Sequence, residues 1–438
     1  MCQYSNHWKD PTKTKIIWLG QLFAILYGAE LSYEASCKES FWDQYSIPAR
    51  IDFKALTVQC LIASNYTNPV CNTVETLMLY ILFDNTTSAD LSIETPLILG
   101  MTIRLAMRMG IHRNSKAHPG LTPYQDEMRC RLWATILMAD VLHSFQLSLP
   151  AMISQGDWNC AMPRNIRNDE FVPQSIRLPP QRPLSEHTEV TYMILKSRLL
   201  LVLKDIMILT NHTNRMSEED MRRCESSLAE AHSMIPAFLH VIPVEQLDLS
   251  SATIVKHRIS FDRVYQLCRC MLYRRFLRQG HTDSAVTSYR LSCIDAALKL
   301  LRHQATLFID IENMFLPSMK RRHRIFEPTS DFFVAGMVIA LDLYFDLELK
   351  SKFPTQAQEY NPDSMEMFVA LENSNRYWEM TKYESVEAAK AYGIFSFVLQ
   401  KVRKHRSETG SALCTTNLEF SNIPLAALES TLEFDWVS

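Results

Sequence analysis

The segment from Leu97 to Pro163 constrains the fold more than any other part of the chain. Leu97, Ile98, Met101, Leu105 and Met109 recur three and four residues apart, the period of one helical face. Arg104, Arg108 and His112 follow at spacings of four and make a cationic stripe beside it. Gly110 then offers a helix stop. A new start follows at Thr122-Pro123-Tyr124-Gln125, where Thr122 can cap, Pro123 suits the first helical position and Gln125 completes a capping box. Beyond it Met128, Leu132, Ile136 and Ala139 read as a buried face, with Trp133 and Asp140 at its flanks. The expectation is a helical hairpin that runs into irregular chain by Pro163, with no evident reaction chemistry in it.

Helical periodicity recurs at 55–63, 73–83, 189–209, 217–240, 253–278, 286–306, 332–349, 363–381 and 384–403. Ser217 with Glu218, Glu219 and Asp220 supplies a cap and acids that suit a helix N-terminus. Pro163, Pro173, Pro179, Pro180 and Pro183 mark an irregular connection over the surface. Only 10 glycines argue against sheet-rich folds with many tight turns and against glycine-rich phosphate loops. The expected fold is therefore all-α: a large, bundle-like array of packed antiparallel helix pairs over 1–405. After Arg406 no lysine or arginine remains, and acids alternate with Leu418, Phe420, Leu428, Phe434 and Trp436. That tail, 406–438, reads either as a disordered activation-type segment or as an element docking back on the core.

Ile16 to Leu26 is apolar behind Lys13 and Lys15, like a signal sequence, but Gly20 and Gln21 interrupt it and it lacks a clean cleavage site. An apolar run of that length is too short to cross a bilayer, so a buried helix is expected and no membrane partner. The 11 cysteines are scattered without a Cys-x-x-Cys, which fits buried thiols in a reducing compartment. A net charge of −3 gives no global attraction to nucleic acid. Signatures of serine hydrolases, phosphate loops, dinucleotide folds and zinc proteases are all missing, so an enzyme is not expected. No catalytic, cofactor or metal residues are assigned. Asp342 and Asp346 share a helical face, and without further acids nearby they read as a partly solvated face or as partners of a core arginine rather than a cation site. Lys320, Arg321, Arg322 and Arg324 form a basic patch that suits a nuclear-import signal or an exposed interhelical loop.

The hairpin resembles the middle homology region of fungal zinc-cluster transcription factors. The matching residues are Arg104-Leu105-Ala106, Gly110-Ile111-His112-Arg113, Glu127, Arg131-Leu132-Trp133, Asp140, Pro150 and Pro163. Cys130 and Ala134 stand where the family has Arg and Trp, and Ser148-Leu149 where it has Gly-Arg. Tyr273-Arg274-Arg275-Phe276-Leu277, Cys293 and Ala296-Ala297 are similar to a second family landmark. The resemblance implies a helical regulatory and effector-sensing domain that works in the nucleus with a protein partner or as a homodimer. Control of a secondary-metabolite gene cluster and a small-molecule effector are further implications. The family's DNA contact comes from a six-cysteine module holding zinc. The only cysteine before residue 37 is Cys2, so DNA is expected to be reached indirectly or through a module missing from this chain. Arg104, Arg113, Glu127, Arg131 and Asp140 are expected to form an internal ion-pair set. The alternative is a small-molecule binder or enzyme on the same scaffold, with a cavity lined by Arg104, Trp133, Met138 and Asp140.

Overall fold

Thirteen α-helices and no strand make up the regular structure among the described residues of the computed structural model, which are 2–34, 51–85, 94–114, 120–211, 216–242, 252–313, 329–352 and 362–409. The first group is α1 (Cys2–Lys9), α2 (Ile16–Glu34), α3 (Phe53–Ala63), α4 (Thr73–Asp84), α5 (Glu94–Arg108) and α6 (Pro123–Gln146). A long irregular connection leads to α7 (Thr191–Asn211), α8 (Glu218–Ser233) and α9 (Ala252–Tyr273). The chain continues through α10 (Thr287–Asn313), α11 (Ser330–Lys352), α12 (Pro362–Thr381) and α13 (Val386–Thr409). The all-α expectation is met. The basic patch Lys320, Arg321, Arg322 and Arg324 and the tail beyond Thr409 lie outside the described residues.

Among the described residues three large apolar cores run along the chain, bridged by two helices, and a small fourth cluster gathers around Tyr27 and Phe53. The first core joins α2, α3, α4 and α5 to one side of α6, through Ile17, Leu61, Val74, Leu99, Ile103, Ile136 and Leu137. The second takes Val141 from α6 and packs it with α7, α8 and α9. The third begins at Cys270 on α9 and extends through α10 to α13. In this last core Gly336 lets α11 approach α13 closely. A Cβ there would stand 2.3 Å from the Phe395 ring. Helices α6 and α9, each shared between cores, are therefore the spine of the molecule.

Expected helix bounds need correction at several points: the pattern at 253–278 ends as α-helix at Tyr273, that at 286–306 runs on to Asn313, and two further cases have a clear cause. The pattern at 217–240 stops at Ser233, because Pro236 cannot donate to the ladder and its ring opposes the preceding turn; a single 3₁₀ turn at Ala237–Leu239 follows. The N-terminal apolar helix is longer than its interrupted run suggests. Residues 16–33 are long and apolar enough to cross a membrane by length and composition. In this fold one side of that helix, with Ile17, Ala24 and Tyr27, is buried against α3 and α4.

Candidate functional site

The hairpin forms as its caps dictate. At the end of α5 the Ile111 amide donates to Ala106 O and the Gly110 amide to Met107 O, the paired bonds of a Schellman close. Gly110 sits at φ 71°, a left-handed conformation that an L side chain resists. Arg129 reaches back from α6 to donate to Gly110 O at 2.6 Å. At the start of α6 the Gln125 amide donates to Thr122 Oγ1 and the Thr122 amide to Gln125 Oε1, closing the expected capping box.

The buried faces are not the ones that spacing alone picks out. Leu105 and Ile136 are buried as expected, but Leu97 and Met128 are exposed, and α5 adds Leu99, Thr102, Ile103 and Ala106 to its buried side. Helix α6 buries Glu127, Cys130, Trp133, Ala134, Ile136, Leu137, Asp140, Val141, His143 and Ser144. This arc is far wider than one stripe because α6 lies between two cores. Trp133 and Asp140, expected at its flanks, are among its most enclosed side chains.

The polar members of that arc hold irregular backbone rather than one another. Asp140 is fully buried, and its two carboxylate oxygens accept the amides of Met152 and Ile153, each at 3.0 Å. Lys204 of α7, also buried, donates from Nζ to Ile153 O at 2.8 Å. The peptide at 152–153 is thus gripped by an acid on one side and an ammonium on the other. Burial pushes the Asp140 carboxyl above its ordinary value, against the pull of those two amides and of Lys204. Ser144 Oγ donates to Pro150 O, which fixes the exposed turn after α6.

Nearer the N-terminus of α6, Glu127 accepts from Arg131 Nε at 2.8 Å and from the Arg164 amide at 3.3 Å, just beyond buried Pro163. Arg131 goes on to Asn168 Oδ1 at 2.5 Å and lies over the Phe171 ring. Burial raises the Glu127 carboxyl, partly countered by Arg131. Asn165, fully buried, donates to Pro183 O and Glu186 O and accepts the hydroxyls of Thr188 and Thr191. The proline-rich connection is irregular as expected, but Pro163, Asn165, Ile166 and Phe171 pin it into the interior instead of leaving it on the surface.

The expected ion-pair set is therefore reduced to one pair, Glu127–Arg131. Arg104 and Arg113 are exposed, and Arg113 Nε donates to His112 Nε2 at 3.3 Å. Asp140 has backbone amides where an arginine was expected. Arg104 cannot line a cavity with Trp133 and Asp140, which are packed inside while it faces out. His112 lies 5.9 Å from the Trp133 ring, and its carbonyl accepts the Asn159 and Cys160 amides at 3.0 Å. Asp342 does pair with a core arginine: Arg290 grips it with two bonds of 2.6 Å, and His281 Nε2 stands 3.0 Å away. Asp346 pairs with Lys350. Among the described residues no cluster of histidine, cysteine and acid is arranged to hold a metal ion.

A second polar cluster was not foreseen. Lys196 on α7 donates to Tyr192 Oη at 2.6 Å and to Ser260 Oγ on α9 at 3.1 Å, and those two hydroxyls lie 2.9 Å apart. The His257 ring stacks on Tyr192 at 4.2 Å, and His187 lies 6.2 Å from His257. Among the described residues no carboxylate pairs with Lys196. Burial, with His187 and Lys196 nearby, pushes His257 down to about 4, so the ring is neutral near pH 7. The only signal in the sequence was the Tyr192-x-x-x-Lys196 spacing, which places both groups on one side of a helix.

Residues 7–233 match the family described as "Fungal specific transcription factor domain". The chain is 30% identical to the Zn(2)-C6 fungal-type transcription factor mpsB of Macrophomina phaseolina, over 97% of this chain and 59% of that protein. It is 29% identical to the Zn(2)-C6 fungal-type transcription factor pigI of Monascus ruber, over 92% of this chain and 49% of that protein. It is 26% identical to the equisetin cluster transcription factor eqxF of Fusarium heterosporum, over 91% of this chain and 58% of that protein. The chain thus spans only 49% to 59% of the length of these relatives. No solved structure matches it.

Proposed function

Because the chain belongs to the fungal specific transcription factor domain family, we propose that it regulates transcription of a secondary-metabolite gene cluster in the nucleus. The observation that carries this reading is similarity along nearly the whole chain to proteins named for such a role, the equisetin cluster factor among them. The helical domain acts as the regulatory part. DNA is reached through a protein partner, through a second copy of the chain, or through a zinc-holding six-cysteine module not contained in these residues. No reaction chemistry is needed, and the buried acids of α6 act as structural groups that set the shape of 150–191.

An effector fits this reading at the α7–α9 cluster. Lys196 offers a cation whose neighbours are hydroxyls, beside the rings of Tyr192 and His257, which suits a small planar anion such as an aromatic carboxylate. Benzoate serves as the probe: it should raise the melting temperature of the wild-type chain and leave Lys196→Met unmoved. An equal rise in both would remove the effector site.

Deleting the gene and measuring transcripts of neighbouring biosynthetic genes tests the main reading. Those transcripts should collapse, and re-introducing the gene should restore them. Unchanged transcripts, under conditions in which the cluster is expressed, would count against a regulatory role.

A further inference from the structure

The sulfurs of Cys130 and Cys160 lie 3.7 Å apart, both buried, inside the region the polar clamps organise. Cys130 stands on α6, a helix held between two cores. Cys160 stands on irregular chain, two residues after Trp158 and three before Pro163, and is tied there by its amide to His112 O. A disulfide needs its sulfurs at ~2.05 Å and tolerates only certain Cβ positions. Closing this gap asks for an approach of about 1.7 Å, which a side-chain rotation and a small shift of irregular backbone can supply. Cys270 and Cys293 differ in this respect. They sit fully enclosed on two packed helices, and each thiol points to the other's backbone carbonyl.

We propose that Cys130 and Cys160 are a redox-active dithiol that closes to an intrachain disulfide and staples the chain at 158–163 to α6. Cys160 is the attacking sulfur. Its contact with the Cys130 thiol, helped by the Arg129 cation, holds it below the ordinary thiol range against burial and the charges of Asp126 and Glu127, while the same contact and burial raise Cys130. With hydrogen peroxide as oxidant, the Cys160 thiolate attacks one peroxide oxygen and breaks the O–O bond. A sulfenic acid forms, and the departing hydroxide takes a proton to become water. The Cys130 sulfur then displaces the hydroxyl from the Cys160 sulfur. The S–S bond forms, and the Cys130 proton leaves with that hydroxyl as a second water. Two thiols and one peroxide give one disulfide and two waters. A thiol reductant reverses the step by exchange.

This chemistry is independent of the transcriptional reading, because it is read from the protein's mass. The full chain is treated with hydrogen peroxide, or equilibrated in glutathione buffers, then denatured, alkylated and weighed. Oxidation should remove two hydrogen masses and protect two thiols from alkylation. Peptide mapping without reductant should recover a linked pair carrying Cys130 and Cys160. The mass loss should vanish in Cys130→Ser and in Cys160→Ser and persist in Cys293→Ser. The linked peptide is sought in the wild-type chain, so the result stands even where a serine variant folds poorly. A linkage confined to other cysteines, or Cys130 and Cys160 both alkylated after peroxide treatment, would overturn the proposal. In the oxidised wild type, amides at 158–162 should exchange more slowly than in the reduced chain; equal rates would overturn the staple.

Discussion

The hairpin region and the α9–α11 region both bury charge, and they use it in opposite ways. Around the hairpin, acids on one helix hold chain that has no regular structure: Asp140 takes the amides of Met152 and Ile153, and Glu127 takes that of Arg164. Between α9, α10 and α11, charges join helix to helix through side chains. Arg263 binds Asp331 with two bonds, Arg290 and His281 bind Asp342, and His303 binds Asp262. The difference follows from what each backbone lacks. Helices satisfy their own amides, so buried side chains there need only one another. Irregular chain in the interior leaves amides and carbonyls that only side chains can reach.

This contrast can be broken most forcefully at Asp342. Asp342→Ala strands the Arg290 guanidinium in the interior and should cost about 4 kcal/mol in urea unfolding. Replacing both partners by apolar residues, Asp342→Leu with Arg290→Met, should recover most of that loss, because the pair serves packing rather than backbone. A double variant as unstable as the single one would refute the helix-to-helix account.

Asp140→Ala should cost somewhat less, about 3 kcal/mol, by leaving two buried amides without acceptors. No apolar partner substitution can rescue it, since the stranded groups are main chain. Hydrogen exchange should speed up first at Met152 and Ile153. Exchange that rises only with global unfolding would show that Asp140 does not clamp this segment. Gly110→Ala tests the turn between the helices and should cost about 1 kcal/mol, the strain of an L residue at positive φ. An unchanged urea midpoint would show that the Schellman close tolerates a side chain.

The smallest and most discriminating effect is on pH. Burial opposes the Asp262 charge, but hydrogen bonds from His303 and Gln266 outweigh it and hold the carboxyl below its ordinary 3.8. Its contribution is present above that value and is lost as pH falls through the lower folded value. Asp140 and Glu127 are raised by burial above 3.8 and 4.5, so their folded forms take up protons first, and stability is gained as pH falls through that window. Exchange protection in α6 and at 152–164 should therefore hold or improve on mild acidification, while that at α9–α10 declines under stronger acid. Parallel loss in both regions would remove the distinction.

The sequence by itself determined most of the helices, the caps of the hairpin and the family, though not α1 or the ends of α8 and α9. Thr122, Pro123 and Gln125 announce the start of α6, Gly110 announces the end of α5, and the residues from Arg104 to Pro163 carry a resemblance that the later comparisons support. These features are local: a capping box or a glycine stop is complete within a few residues, so spacing reveals it. What only the tertiary structure decided is which faces those helices bury and what their polar residues hold. Helix α6 has cores on two sides, and its widened buried arc defeats a one-stripe reading of Met128, Leu132 and Ala139. Asp140 looked like a partner for arginine because charge suggests charge, yet its partners are two amides that any residues at 152 and 153 would present. Lys196, Ser260 and His257 meet only because α7 packs on α9, and Cys130 meets Cys160 only because irregular chain folds back on α6. Such contacts join residues 30 or more positions apart, where no period of the sequence can register them.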